Sequence, residues 1–134
     1  MTDAEALSLT IWGEARGEPI EGKIGVACVM RNRLNSHYRG AQTYVDVCMA
    51  HAQFSAWTDE AAQMATELER LEGSHPDPSL MLCAEVASAI MQNLIPSNVQ
   101  NANHYYAISI SPPAWAIDRP VLAALGRHRF FLVP

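Results

Sequence analysis

The longest apolar run in the chain, Ile24-Gly25-Val26-Ala27-Cys28-Val29-Met30, lies in a stretch of helical spacing and sets the first limit on the fold. Ile20, Ile24, Ala27 and Cys28 recur at intervals of three and four, so they share one face. Val26, Val29 and Met30 widen that face around most of the circumference. A helix this apolar must be covered on nearly every side, which makes it the centre of a packed core. Pro19 suits its first turn, and the expected span runs to about Leu34. The run is far short of the ~20 residues a membrane crossing needs. With 134 residues, 49% of them apolar and 17% charged, the chain can bury one such core. Residues 1–134 are therefore expected to form a single domain.

The remaining elements follow from caps and breakers. Thr2 and Glu5 make a T-x-x-E capping box for a first helix over Asp3 to Ala15, which Gly17 and Pro19 end. Tyr44 to Cys48 reads as a short strand or a helical turn. Thr58 caps a helix to about Leu71, and Asp77-Pro78 opens another to about Leu94 with the stripe Leu82, Val86, Ile90 and Leu94. Ile95 to Pro120 holds four prolines and reads as a long loop. Around Gly126 the pattern is a short helix or strand, a turn and a closing strand. The expected class is α+β, mainly helical, with a small β element.

Chemistry enters where the first helix ends. Leu7, Ile11 and Glu14 share a face, so an apolar stripe finishes in a carboxylate. Partial burial there raises the pKa of a carboxyl group and keeps it protonated near neutrality. A protonated Glu is what cleavage of a glycosidic bond requires. The alternative is a structural Glu that pairs with Arg16 or caps the next helix. Glu18 and Glu21 lie nearer the start of the second helix, where a carboxylate stays ionised; Glu18 suits a cap or a supporting contact behind Glu14. Gln53 and Ser55, with Phe54 and Trp57 beside them, combine hydrogen-bonding groups with flat rings, as sugar sites do. His104, Tyr105 and Trp115 offer the same combination in the long loop. Each of these clusters also fits ordinary packing, and His104 suits a hydrogen bond better than a metal.

Other functions find less support. Cys28, Cys48 and Cys83 are odd in number and lack close pairing, which indicates reduced thiols and no zinc site. A cysteine peptidase using Cys28 or Cys48 with His104 remains a rival, as does a non-catalytic glycan-binding module. The net charge of −5 and two short basic clusters argue against nucleic acid. Met1-Thr2-Asp3-Ala4-Glu5 has no signal-peptide character, so synthesis in the cytoplasm without a signal peptide is expected, with no stable membrane association.

In order and spacing, the motifs resemble the cell-wall hydrolase family typified by the spore-cortex-lytic enzyme SleB. The resemblance rests on Ile11-Trp12-Gly13-Glu14-Ala15-Arg16-Gly17-Glu18-Pro19, on Gln53-Phe54-Ser55, on His104-Tyr105 with Pro113-Ala114-Trp115, and on Gly126-Arg127-His128-Arg129-Phe130-Phe131. It implies a lysozyme-like fold and cleavage of peptidoglycan between N-acetylmuramic acid and N-acetylglucosamine. It implies Glu14 as the catalytic acid, with no metal and no cofactor. It favours lytic transglycosylase chemistry with a 1,6-anhydro product over a hydrolytic muramidase. Gln53, Ser55, His104, Tyr105 and Trp115 become candidate glycan contacts. Phe131 stands where the family often has Tyr. A bare catalytic module without an export signal or a separate wall-binding module looks like a phage or prophage endolysin, released through a holin-type pore to reach the periplasm and cell wall.

Overall fold

A computed structural model describes residues 1–51 and 77–134. The helix expected over Thr58 to Leu71 lies outside the described residues. Among those described, helix α1 spans Asp3–Ala15, α2 Ile20–Asn35, α3 Tyr44–Ala50 and α4 Pro78–Met91.

The capping box forms at α1: Thr2 Oγ1 accepts from the Glu5 amide at 3.1 Å, and Glu5 Oε1 accepts from the Thr2 amide at 2.8 Å. Leu7, Leu9, Ile11 and Trp12 are buried where α1 packs on α2, α3 and α4. Burial of each large apolar side chain is worth roughly 1.5–3 kcal/mol. Lys23 reaches back from α2, and its ammonium donates to the Arg16 and Glu18 carbonyls at 3.2 and 2.5 Å. Arg16 caps the end of α1 and the Glu18 carbonyl lies in the connection that follows, and the cation also suits the negative end of the helix.

In α2, Val26 to Met30 are completely buried, as the apolar run demands. Two details differ from expectation. Pro19 precedes the helix as its cap, outside the first turn. Ile20 is 46% exposed, so the buried face of α2 begins after it. The ambiguous segment Tyr44 to Cys48 is helical; the Thr43 hydroxyl accepts from the Asp46 amide and starts α3.

At α4, Asp77 accepts from the Ser79 and Leu80 amides as expected of a cap. The helix ends sooner than expected, and its buried stripe is Leu80, Cys83, Val86, Ala87 and Ile90. Leu94 is 69% exposed and Leu82 only partly covered. The cause is Asn93, which takes a left-handed conformation at φ 56°. Its amide donates to Ile90 O, and the Leu94 amide donates to Ala89 O, closing a Schellman motif with Asn in the usual glycine place.

The long segment after α4 is not a bare loop. It contains strand β1, His104–Ala107, and a short 3₁₀ turn at Ala114–Ala116. Strands β2, Ala123–Leu125, and β3, His128–Phe131, form a hairpin. The sheet is antiparallel in the order β1-β3-β2, with Tyr105 opposite Phe130 and Ala107 opposite His128. Alternation puts Tyr105, His128 and Phe130 on one face and His104, Tyr106 and Phe131 on the other.

The first face seats on α2 at Gly25. A Cβ there would stand 2.8 Å from Phe130 Cζ and 2.9 Å from Leu125 Cδ1. The basic cluster Arg31-Asn32-Arg33 fastens the incoming segment to the same helix. Arg31 donates to Ile95 O, Asn32 to Gln100 O and Ala102 O, and Arg33 to Asn103 O.

Gly25→Ala should therefore overpack the helix–sheet contact and cost about 1–3 kcal/mol. Urea denaturation measures it, and a wild-type midpoint would contradict the close approach.

Candidate active site

Glu14 occupies the exit of α1, on the stripe that begins at Leu7. Its side chain is 18% exposed, so it is mostly covered yet reachable. It borders a cleft of about 430 Å³ shared with Tyr105, Tyr106, Pro113, Trp115 and His128. A second cleft, on the side of Arg16, Gly17 and Arg127, also opens onto it. Burial raises the Glu14 carboxyl to about 7, against smaller opposing effects from the Tyr105 hydrogen bond and the Arg33 charge. Arg16 is not its partner: that guanidinium lies over the Trp12 ring, 4.0 Å from its centre.

Tyr105 reaches Glu14 from β1. Its hydroxyl donates to Glu14 Oε1 at 2.5 Å. Burial, reinforced by the Glu14 charge and hydrogen bond, pushes the phenol well above its ordinary pKa, so it stays a donor. His51, at the end of α3, places Nε2 3.3 Å from the Tyr105 hydroxyl and 3.7 Å from Glu14 Oε1. Burial, with Arg33 next, lowers this imidazole to about 3. Because the imidazole is uncharged at neutral pH, the His51–Glu14 contact is not an ion pair. Arg33 donates through Nη1 to His51 Nδ1 at 3.0 Å.

His104 and Trp115 stand on the other face of β1. Their rings meet edge to face at 4.9 Å, and Trp115 also packs on Phe131. His104 bonds Asn103 Oδ1 through Nδ1. Burial, then Arg33, lowers it to about 4, so it offers hydrogen bonds and no positive charge. Arg33, Tyr38, His51, His104, Tyr105 and Trp115 line a further cavity of about 250 Å³. Phe131 is buried and stacks on Tyr106, an apolar role. Gln53 and Ser55, with Phe54 and Trp57, lie outside the described residues.

Glu18 does not touch Glu14. Its Oε1 accepts from the Arg127 amide at 2.6 Å and its Oε2 from Arg127 Nε at 2.9 Å. Burial alone would raise this carboxyl, but the two hydrogen bonds and the charges of His128 and Arg127 hold it below the ordinary range. Glu18 therefore anchors the β2–β3 turn, and its influence on the site passes through His128, whose ring meets Tyr105 at 5.2 Å. Gly126 makes the anchor fit: at φ 56°, a Cβ there would come within 2.6 Å of Glu18 Oε1.

The thiols do not suit nucleophilic catalysis. Cys28, Cys48 and Cys83 are buried and unbridged, and burial raises Cys48 and Cys83 to about 11.

Sequence reasoning missed Arg33, Tyr38 and His51. Arg33 carried a signal, because Val26, Met30 and Arg33 recur at +4 and +3 and end a second apolar stripe in a charge. His51 carried none beyond its place beside the Gln53 cluster.

A carboxylic acid held near neutrality beside a ring-walled cleft marks a site for acid chemistry on a polar substrate. The chain belongs to the cell wall hydrolase family, whose pattern matches residues 17–131. Among curated proteins it is similar to the spore cortex-lytic enzymes of Oceanobacillus iheyensis, at 30% identity, and of Bacillus subtilis, at 29%. It is likewise similar to that of Halalkalibacterium halodurans, at 27% identity. Each alignment covers 96% of this chain, so it includes Glu14, but 34–41% of the relative. The chain thus spans well under half the length of these proteins. Its fold matches the crystal structure of the catalytic domain of Bacillus cereus SleB, with a TM-score of 0.70 at 22% identity over 96% of this chain and 88% of that one. It also matches the catalytic domain of the germination-specific lytic transglycosylase SleB from Bacillus anthracis, with a TM-score of 0.68 at 22% identity over 96% and 93%.

The raised carboxyl predicts a pH-dependent stability. Between about 4.5 and 7 the folded state holds more protons at Glu14 than the unfolded chain does, so its contribution falls as pH rises through that window. Glu14→Gln removes the cost of ionising a buried group. It should melt higher than wild type at pH 8, by up to about 3 kcal/mol, and converge with it near pH 4.5. Calorimetry across pH tests this; a variant less stable at pH 8 would contradict the raised value.

Proposed function

We propose that this chain cleaves peptidoglycan glycan strands between N-acetylmuramic acid and N-acetylglucosamine as a lytic transglycosylase, with Glu14 as acid and then base. The observation that carries the reading is the Glu14 carboxyl, raised to about 7 by burial while bordering an aromatic-walled cleft. Family membership and the cortex-lytic and lytic transglycosylase relatives support the substrate class.

The reaction balances without a second catalytic carboxylate. Glu14 gives its proton to the glycosidic oxygen as the bond to the muramic C1 breaks and positive charge spreads over C1 and the ring oxygen. The N-acetylglucosamine side leaves as an alcohol. The muramic C6 hydroxyl oxygen attacks C1, and its proton passes to Glu14. A 1,6-anhydro ring forms and the acid is restored. Hydrolysis would instead need a second carboxylate to activate water or to act as nucleophile. Among the described residues lining the clefts beside Glu14, the other carboxylate is Glu18, and Arg127 occupies both its oxygens. This favours attack by the sugar's own hydroxyl.

The Trp115 and Tyr106 rings offer faces for pyranose stacking, and His104 offers a neutral hydrogen-bonding edge. Gln53 and Ser55 enter the proposal as glycan contacts through the motif resemblance alone.

Purified protein should release soluble fragments from isolated peptidoglycan, and mass spectrometry should find 1,6-anhydro-muramic ends. Reducing muramic ends would overturn the transglycosylase assignment. Glu14→Gln should lose about a thousandfold or more in rate. Because the first step needs the acid form, kcat/KM should fall as pH rises through about 7.

A further inference from the structure

Behind the Glu14–Tyr105 pair lie two residues that the reaction above does not use, and their contacts have a direction. A guanidinium has five N–H donors and no acceptor. Arg33 Nη1 stands 3.0 Å from His51 Nδ1, so Nδ1 must accept. The ring is uncharged, since burial and Arg33 oppose its protonation. Its one proton therefore sits on Nε2. That N–H is 3.3 Å from the Tyr105 oxygen, which receives it. The Tyr105 proton is then left for Glu14 Oε1 at 2.5 Å.

We propose that Arg33 and His51 are positioning residues which orient the Tyr105 hydroxyl so that Glu14 Oε1 is always an acceptor and the acid proton resides on Oε2. The proposal rests on Glu14 being the acid. A proton on Oε1 would meet the Tyr105 hydroxyl head-on and the His51 N–H at 3.7 Å, so it is excluded from that oxygen. The donating oxygen is fixed before substrate arrives, and the cost of orienting it is met by folding. When Glu14 gives up its proton, the same line of donors faces the new carboxylate. Arg33 is well placed to set the direction. It is 6% exposed, its Nε donates to Asn103 O at 2.8 Å, and its guanidinium lies over the Tyr38 ring at 4.8 Å.

The test joins a spectroscopic reading to kinetics. Long-range ¹H–¹⁵N spectra of the imidazoles at pH 7, assigned by comparison with His51→Leu or His51→Gln, should show His51 protonated on Nε2 and bare on Nδ1. Arg33→Met should mix the two tautomers. On soluble uncrosslinked peptidoglycan strands, His51→Leu should lower kcat by about 10- to 100-fold with KM nearly unchanged. His51→Gln, whose amide can both accept and donate, should restore most of that loss. A proton on Nδ1 in the wild type, or a wild-type kcat for a folded His51→Leu, overturns the proposal. If His51→Leu does not fold, the wild-type tautomer still decides. An inactive Glu14→Gln beside a fully active His51→Leu refutes the positioning role and leaves the catalytic assignment standing. An active Glu14→Gln refutes the assignment itself, whatever the tautomer.

Discussion

Helix α2 carries no side chain at Gly25, and the sheet approaches so closely there that even a methyl group would collide with Phe130 and Leu125. Much of the site depends on that approach. Phe130 pairs with Tyr105 across β3 and β1, so the depth at which Phe130 seats fixes how far the Tyr105 hydroxyl reaches toward α1. At 2.5 Å from Glu14, the phenol leaves little tolerance for a shift of the sheet. The Glu18–Arg127 bond and the narrow turn at Gly126 hold the far end of the same hairpin. The geometry of the Glu14–Tyr105 pair thus follows from packing on the central helix.

Electrostatically, burial disfavours charge on most groups of the site. His51, His104 and His128 are all lowered by burial, Glu14 is raised by it, and Tyr105 is held protonated. Arg33 is the buried charge behind them, and its first partners are a backbone carbonyl and an imidazole. A carboxyl group set in such surroundings gives and takes a proton with little driving force either way, which suits the acid-then-base role proposed for Glu14.

Much of this was readable from residue order. The capping box of α1, the buried middle of α2, the Asp77 cap and the closing strand follow from local rules that hold at short range. The position of Glu14 followed from the same periodicity, because a stripe that ends in a charge brings that charge to the rim of a core. The same rule holds at Arg33, where the stripe of Val26 and Met30 ends in a charge. The end of α4 was misread because Asn93 adopts a left-handed turn usually assigned to glycine. Strand β1 was hidden inside a proline-rich stretch, since its existence depends on pairing with β3, more than twenty residues later in the chain. His51 could not be read at all: its contacts with Arg33, Tyr105 and Glu14 arise from three elements meeting, and no spacing along the chain records that.

The buried thiols carry one more consequence. With Cys48 and Cys83 raised to about 11, the reactive thiolate is about one part in ten thousand at pH 7. Cys28 is wholly enclosed in α2. Disulfide exchange and oxidation both begin from an accessible thiolate. Once folded, the chain is therefore slow to react at these sulfur atoms. Its vulnerable moment is the unfolded chain, before the core has closed over the sulfur atoms.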